Sequence, residues 1–143
     1  MYIDLKNFLI KNPININGVV HVGAHKGEEL NLYRSLKIKK VLLFEANPSL
    51  IKFLRIKSSF FNFLFDMNIF LENKALLDSL GKVNLNITSN SQSSSILNLK
   101  EHSIMYPTIK KIKEVKVPSS TLNYEFSKKY NIKNYNMLNM DIQ

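Results

Sequence analysis

A chain of 143 residues that is 45% apolar and 22% charged has the size and composition of one globular domain with a sizeable core. It contains no cysteine, which excludes disulfides and thiolate metal sites, and no tryptophan. The net charge of +9 would suit a phosphate-rich partner, but the basic residues are scattered at Lys37, Lys39 and Lys40, at Lys110, Lys111 and Lys113, and at Lys128 and Lys129.

Aromatic residues are not interleaved with these lysines as a stacking platform requires, so they read as solvated faces and no specific nucleic acid is expected. The N-terminus, Met1 to Lys6, has no basic stretch followed by an apolar one, and no signal peptide is expected. The apolar run from Phe60 to Phe65 is too short to span a bilayer. The expectation is a soluble, cytoplasmic protein.

Asp4 to Ile10 reads as a short helix, with Leu5, Phe8 and Leu9 on one face and Pro13 just beyond its end. Gly18 to Ala24 is the first strand, apolar on both faces except at His21, as a central parallel strand is. Glu28 to Leu36 has helical spacing at Leu32, Tyr33 and Leu36, and Lys40 to Glu45 is the second strand. Asn47-Pro48-Ser49 opens a helix running to about Lys57, with proline suited to its first turn.

Asn68 to Ala75 is a third strand, followed by turn chemistry at Asp78 to Gly81. Val83 to Thr88 alternates apolar and polar residues, which predicts an antiparallel strand with one wet face. Ser89 to Ser95 is a polar loop, Glu114 to Pro118 a short strand, Thr121 to Tyr130 a helix and Asn136 to Ile142 a strand. Alternating strands and helices predict an α/β fold with a doubly wound, mainly parallel sheet in a single domain over residues 1–143, its core starting at residue 18.

The chemistry concentrates in two places. Gly23 and Gly27 bracket Ala24-His25-Lys26 where the first strand gives way to a helix, a turn that admits ligand close to backbone and faces it with a helix N-terminus. Glycines in such a turn also serve the turn alone, and both readings stay open at this point. Glu45 ends the second strand eighteen positions after Gly27, near the spacing of an acid that accepts hydrogen bonds from ribose hydroxyls. His25 and Glu28 stand where a dinucleotide fingerprint begun at Gly23 requires glycine, which favours a cofactor without a pyrophosphate.

His21, His25 and His102 do not share a helix face, so no metal site is expected. His21 reads as a buried strand residue with a backbone partner, whereas His25 and Lys26 face the sheet's carboxyl edge, where cofactor or substrate would lie. Ser93-Ser94-Ser95 supplies hydroxyls and amides, as ligand contacts or as flexible loop. No Gly-x-Ser-x-Gly elbow supports hydrolase chemistry. Asp141 ends the last strand near the same edge.

Taken in order, His21-Val22-Gly23-Ala24-His25-Lys26-Gly27, Phe44-Glu45-Ala46-Asn47-Pro48, Asn73-Lys74-Ala75-Leu76, Ser94-Ser95, Val115-Lys116-Val117 with Thr121-Leu122, and Met140-Asp141-Ile142-Gln143 resemble the FkbM-type methyltransferases. That resemblance implies a Rossmann-like fold and an S-adenosyl-L-methionine-dependent enzyme, generally one that methylates a hydroxyl on a sugar or small metabolite. It implies that Gly23, Ala24, His25 and Gly27 contact the methionine end of the cofactor and Glu45 the ribose. Asn73 and Ala75 would lie beside the adenine, and Asp141 near the methionine amine or the reacting hydroxyl, as the catalytic group. Lys26, Ser94 and Ser95 are the candidate substrate contacts.

Three departures accompany the likeness. His21 replaces an acid usual in the family, Asn123 stands where Thr-Leu-Asp is expected, and the family continues beyond Asp-Ile-Gln with further strands and helices. The expectation is therefore a sheet incomplete at its C-terminal strands, with self-association through an unpaired edge. The competing reading is a catalytically inactive methyltransferase remnant that serves as a binding module.

Overall fold

The computed structural model describes residues 5–88 and 111–140. Four strands form a parallel sheet in the order β3-β2-β1-β7: β1 is Gly18–Val22, β2 Lys40–Phe44, β3 Asn68–Glu72 and β7 Met137–Met140. Val22 pairs with Phe44 and with Met140, and Phe44 pairs with Glu72, so the four strands end level with one another. The segments that follow β1, β2 and β3 therefore emerge at one carboxyl edge.

Side-chain alternation explains the layers. Val19, Val41, Leu43 and Ile69 point to one face, where they pack with Leu30 and Tyr33 of α2 (Leu30–Ser35) and Leu54 and Phe61 of α3 (Pro48–Phe65). Val20, Val22, Leu42 and Phe44 point to the other, against Tyr130 and the partly buried Leu122 and Phe126 of α4 (Leu122–Lys128). β1 and β2 are thus covered on both sides, as their unbroken apolar runs predict. A further helix, α1 (Leu5–Lys11), precedes the sheet and has no buried residue.

The third predicted strand divides. β3 stops at Glu72, and Ala75–Leu76 form a two-residue strand, β4, that leaves for another sheet. The break comes at Asn73, whose side-chain amide turns back to the carbonyls of Glu45 (2.8 Å) and Ala46 (3.1 Å). The second sheet has the order β4-β6-β5, with β5 Gly81–Thr88 and β6 Lys111–Ser120. The alternating segment is antiparallel as predicted, but its partner is β6, which is twice the predicted length and stands outside the parallel sheet. Leu85, Ile87 and Val117 form its small core with Ala75.

α3 runs eight residues past the predicted end. Asn47 caps it by accepting from the Ser49 N–H at 3.0 Å, and Asp66 closes it in the left-handed conformation (φ 50°), paired with Lys39. The buried positions Ile51, Leu54, Ser58 and Phe61 keep helical period past Lys57.

Candidate functional site

The site is built where β1 meets the following loop. Gly23 (φ 80°) and Gly27 (φ 64°) both hold left-handed conformations that favour glycine. A Cβ on Gly27 would come within 3.1 Å of Leu30 and 3.2 Å of Leu54, so space and dihedral both demand its absence. The Gly23 and Ala24 N–H groups donate to the Phe44 carbonyl at 2.9 and 3.1 Å, and Gly27 N–H donates to the Ala24 carbonyl at 2.7 Å. The loop is therefore tied to β2 and folded on itself. The helix behind it starts at Leu30, two residues later than the sequence pattern suggests.

Between the glycines, His25 also has positive φ (45°), unusual for a residue with a side chain and costing about 1 kcal/mol. Three contacts hold it there. Its N–H donates to Glu45 Oε2 at 2.7 Å, its ring Nδ1 lies 2.8 Å from Glu28 Oε1, and the next N–H, that of Lys26, donates to Glu28 Oε2 at 3.1 Å. Burial would raise the Glu28 pKa, but the hydrogen bond with His25 and the backbone donors hold it below the ordinary value. Lys57 reaches across from α3 to donate to the carbonyls of Lys26 (3.0 Å) and Gly27 (2.7 Å).

Glu45 is the node of this arrangement. Its Oε1 accepts from Asn47 N–H at 2.7 Å, and its own N–H donates to the Glu72 carbonyl. Burial pushes its carboxyl above the ordinary range, against the pull of the Asn47 and His25 donors. Each carboxylate oxygen thus already accepts from a backbone N–H.

Beneath the edge, His21 is buried, as the sequence suggests. Its Nδ1 lies 3.2 Å from the Tyr33 hydroxyl, which also accepts from Asn139 Nδ2 at 2.7 Å. Burial pushes the Tyr33 hydroxyl up to about 12. A charged cluster lies at the end of β3, on the face covered by α4. The Glu72 carboxylate accepts from Lys129 and Tyr130, and Lys74 bridges Glu72 Oε2 (3.6 Å) and Glu125 Oε1 (2.7 Å). Burial raises the Glu72 pKa, but these donors bring it below its usual value.

Of the predicted residues, Gly23, His25, Lys26, Gly27, Glu45 and Asn73 gather at the carboxyl edge. Ala24 and Ala75 are buried with their side chains in apolar clusters. Asn73 uses its amide on the backbone after β2. Ser94, Ser95, His102 and Asp141 lie outside the described residues. Sequence reasoning missed Glu28, Lys57, Tyr33 and Asn139. The i, i+3 spacing of His25 and Glu28 was a usable signal, whereas the other contacts are long-range. Among the described residues no group of three or more His, Asp or Glu side chains is placed to hold a metal ion.

Residues 21–143 match the family model described as the Methyltransferase FkbM domain. No curated protein and no solved structure matches the chain.

Proposed function

The chain belongs to the FkbM methyltransferase family, and from that premise we propose that it binds S-adenosyl-L-methionine at the carboxyl edge of the parallel sheet and methylates a hydroxyl of a sugar or small metabolite. The observation that carries this reading is the pairing of the Gly23–Gly27 loop with Glu45 through the His25 N–H bond. Gly27 packs the loop tightly on Leu30 and Leu54, which fixes the backbone that would face the methionine end of the cofactor. A carboxylate oxygen can accept more than one hydrogen bond, so Glu45 would take the ribose hydroxyls beside its backbone donors.

When bound, the cofactor supplies a sulfonium-activated methyl group. What remains for the protein is alignment, which contributes most when donor and acceptor are held in near-attack geometry. Asn73 and Ala75 would border the adenine through backbone atoms. Lys26, Ser94 and Ser95 would orient the acceptor, and Asp141 would take the hydroxyl proton as oxygen attacks.

Calorimetric titration tests this. Saturable binding of S-adenosylmethionine is expected, weakened about tenfold by Glu45→Gln through loss of a charge-assisted acceptor. Absence of binding at millimolar cofactor would overturn the reading. Transfer of a labelled methyl group to a panel of sugars then tests the acceptor class.

A further inference from the structure

α3 is apolar on two sides. Ile51, Leu54 and Phe61 face the core, while Phe53, Ile56, Phe60, Phe63 and Leu64 are all more than half exposed, Phe63 at 90%. At 100° per residue these five fall in one stripe directly opposite the buried face. A helix that is apolar all round is normally covered. With aromatic side chains of 150–250 Å² each, the stripe exposes on the order of 600 Å², the upper end of what a monomer ordinarily shows.

The charges that α3 itself carries are one-signed. The helical period sets Lys52 and Arg55 on one flank of the stripe and Lys57 on the other. No acidic residue occurs between Glu45 and Asp66, and Asp66 is paired with Lys39. The whole chain carries +9.

We propose that α3 is a peripheral docking face for an anionic lipid surface. The Phe and Ile side chains enter the headgroup–acyl boundary, and Lys52 and Arg55 meet the lipid phosphates. The helix lies on the surface rather than crossing it, since no helix among the described residues is long and apolar enough to span a membrane. A second copy of the chain fits less well. Two such stripes would reach only about 1,200 Å² if every part were covered, the low end of stable interfaces, which a two-helix seam does not achieve. Pairing would also bring together two chains of like charge.

The test is co-sedimentation of the full chain with phosphatidylcholine vesicles, with and without roughly one-third phosphatidylserine. Binding is expected to the anionic vesicles only, and to weaken as salt is raised. Phe60→Ser with Phe63→Ser, and separately Lys52→Glu with Arg55→Glu, should each reduce it by about tenfold or more. Circular dichroism checks that the serine variant is folded; if it is not, the charge variant alone decides. The proposal is overturned by equal binding to neutral vesicles, by unchanged binding of the folded variants, or by no vesicle binding. Concentration-dependent dimerisation that the serine substitutions abolish would also overturn it, assigning the face to a second copy.

Discussion

Replacing Glu45 with glutamine tests whether one carboxylate holds the loop and the start of α3 together. The carboxylate accepts from the His25 and Asn47 N–H groups, both at 2.7 Å, and is buried. Glutamine keeps one oxygen, so one of the two amides must face an NH2 group. A hydrogen bond to a charged acceptor contributes about 1.5–3 kcal/mol, and a donor left unsatisfied loses a comparable amount. The neutral amide also relieves the cost of burying a charge, which offsets part of that loss. The net expectation is about 1–2 kcal/mol. With a urea slope near 2 kcal/mol/M, the midpoint should fall by about 0.5–1 M. Glu45→Ala, which removes both acceptors, should cost more.

Acidity supplies an independent check on the same residue. Its folded pKa is raised above 4.5, so the folded state holds the proton longer than the unfolded chain as pH rises. Stability due to this group is therefore full below the unfolded value and declines as pH climbs through the raised folded value. Glu45→Gln should remove that decline. A midpoint shift under about 0.2 M, or an unchanged pH profile, would refute the idea that this carboxylate organises the loop.

Gly27→Ala should cost about 2 kcal/mol, combining positive φ with contacts at 3.1 and 3.2 Å, and should lower cofactor affinity measured by calorimetry. Tyr33, whose hydroxyl is raised to about 12, should withdraw about 2–3 kcal/mol of stability as pH rises from about 10 to 12. Urea titrations across that range should show a steeper decline in the wild type than in Tyr33→Phe, where the buried Tyr130 and Tyr135 still contribute. Glu125→Gln should lower the thermal midpoint by several degrees, because the bridge to Lys74 at 2.7 Å is lost while Lys74 keeps only the longer contact with Glu72.

Much of the parallel sheet was legible because β1 and β2 are buried on both faces, and that burial writes unbroken apolar runs such as Val41 to Phe44. The glycine loop and Glu45 were legible for the same reason: strand-end position and spacing are local facts. The break in the third strand was not, because it depends on Asn73 reaching carbonyls 27 and 28 positions away. The second sheet escaped similarly, since β6 pairs with β5 and β4, segments well separated from it in the chain. His21 was placed in the interior, but its contact with Tyr33, which in turn accepts from Asn139, joins a strand to a helix and another strand and leaves no local signal.

The ordered motifs are better understood as one hydrogen-bonded object than as separate contacts with a ligand. Gly23 and Ala24 hold Phe44, His25 holds Glu45, Asn47 holds Glu45 from the other side, Asn73 holds the carbonyls of Glu45 and Ala46, and Glu45 N–H holds Glu72. Three chain segments far apart in sequence thus meet at a single acid. A residue there serves the scaffold before it serves any ligand, and the two duties are compatible because a carboxylate oxygen can accept more than one hydrogen bond. A ribose at this edge would meet a carboxylate already fixed by two amides, with little further ordering of the side chain required on binding. The same economy makes the position intolerant: losing the carboxylate removes the ligand's acceptor and loosens the loop that frames it. Stability and cofactor affinity should therefore fall together in Glu45 variants, whereas Lys26→Ala, at an exposed side chain whose loop contacts are made by its backbone, should leave stability unchanged.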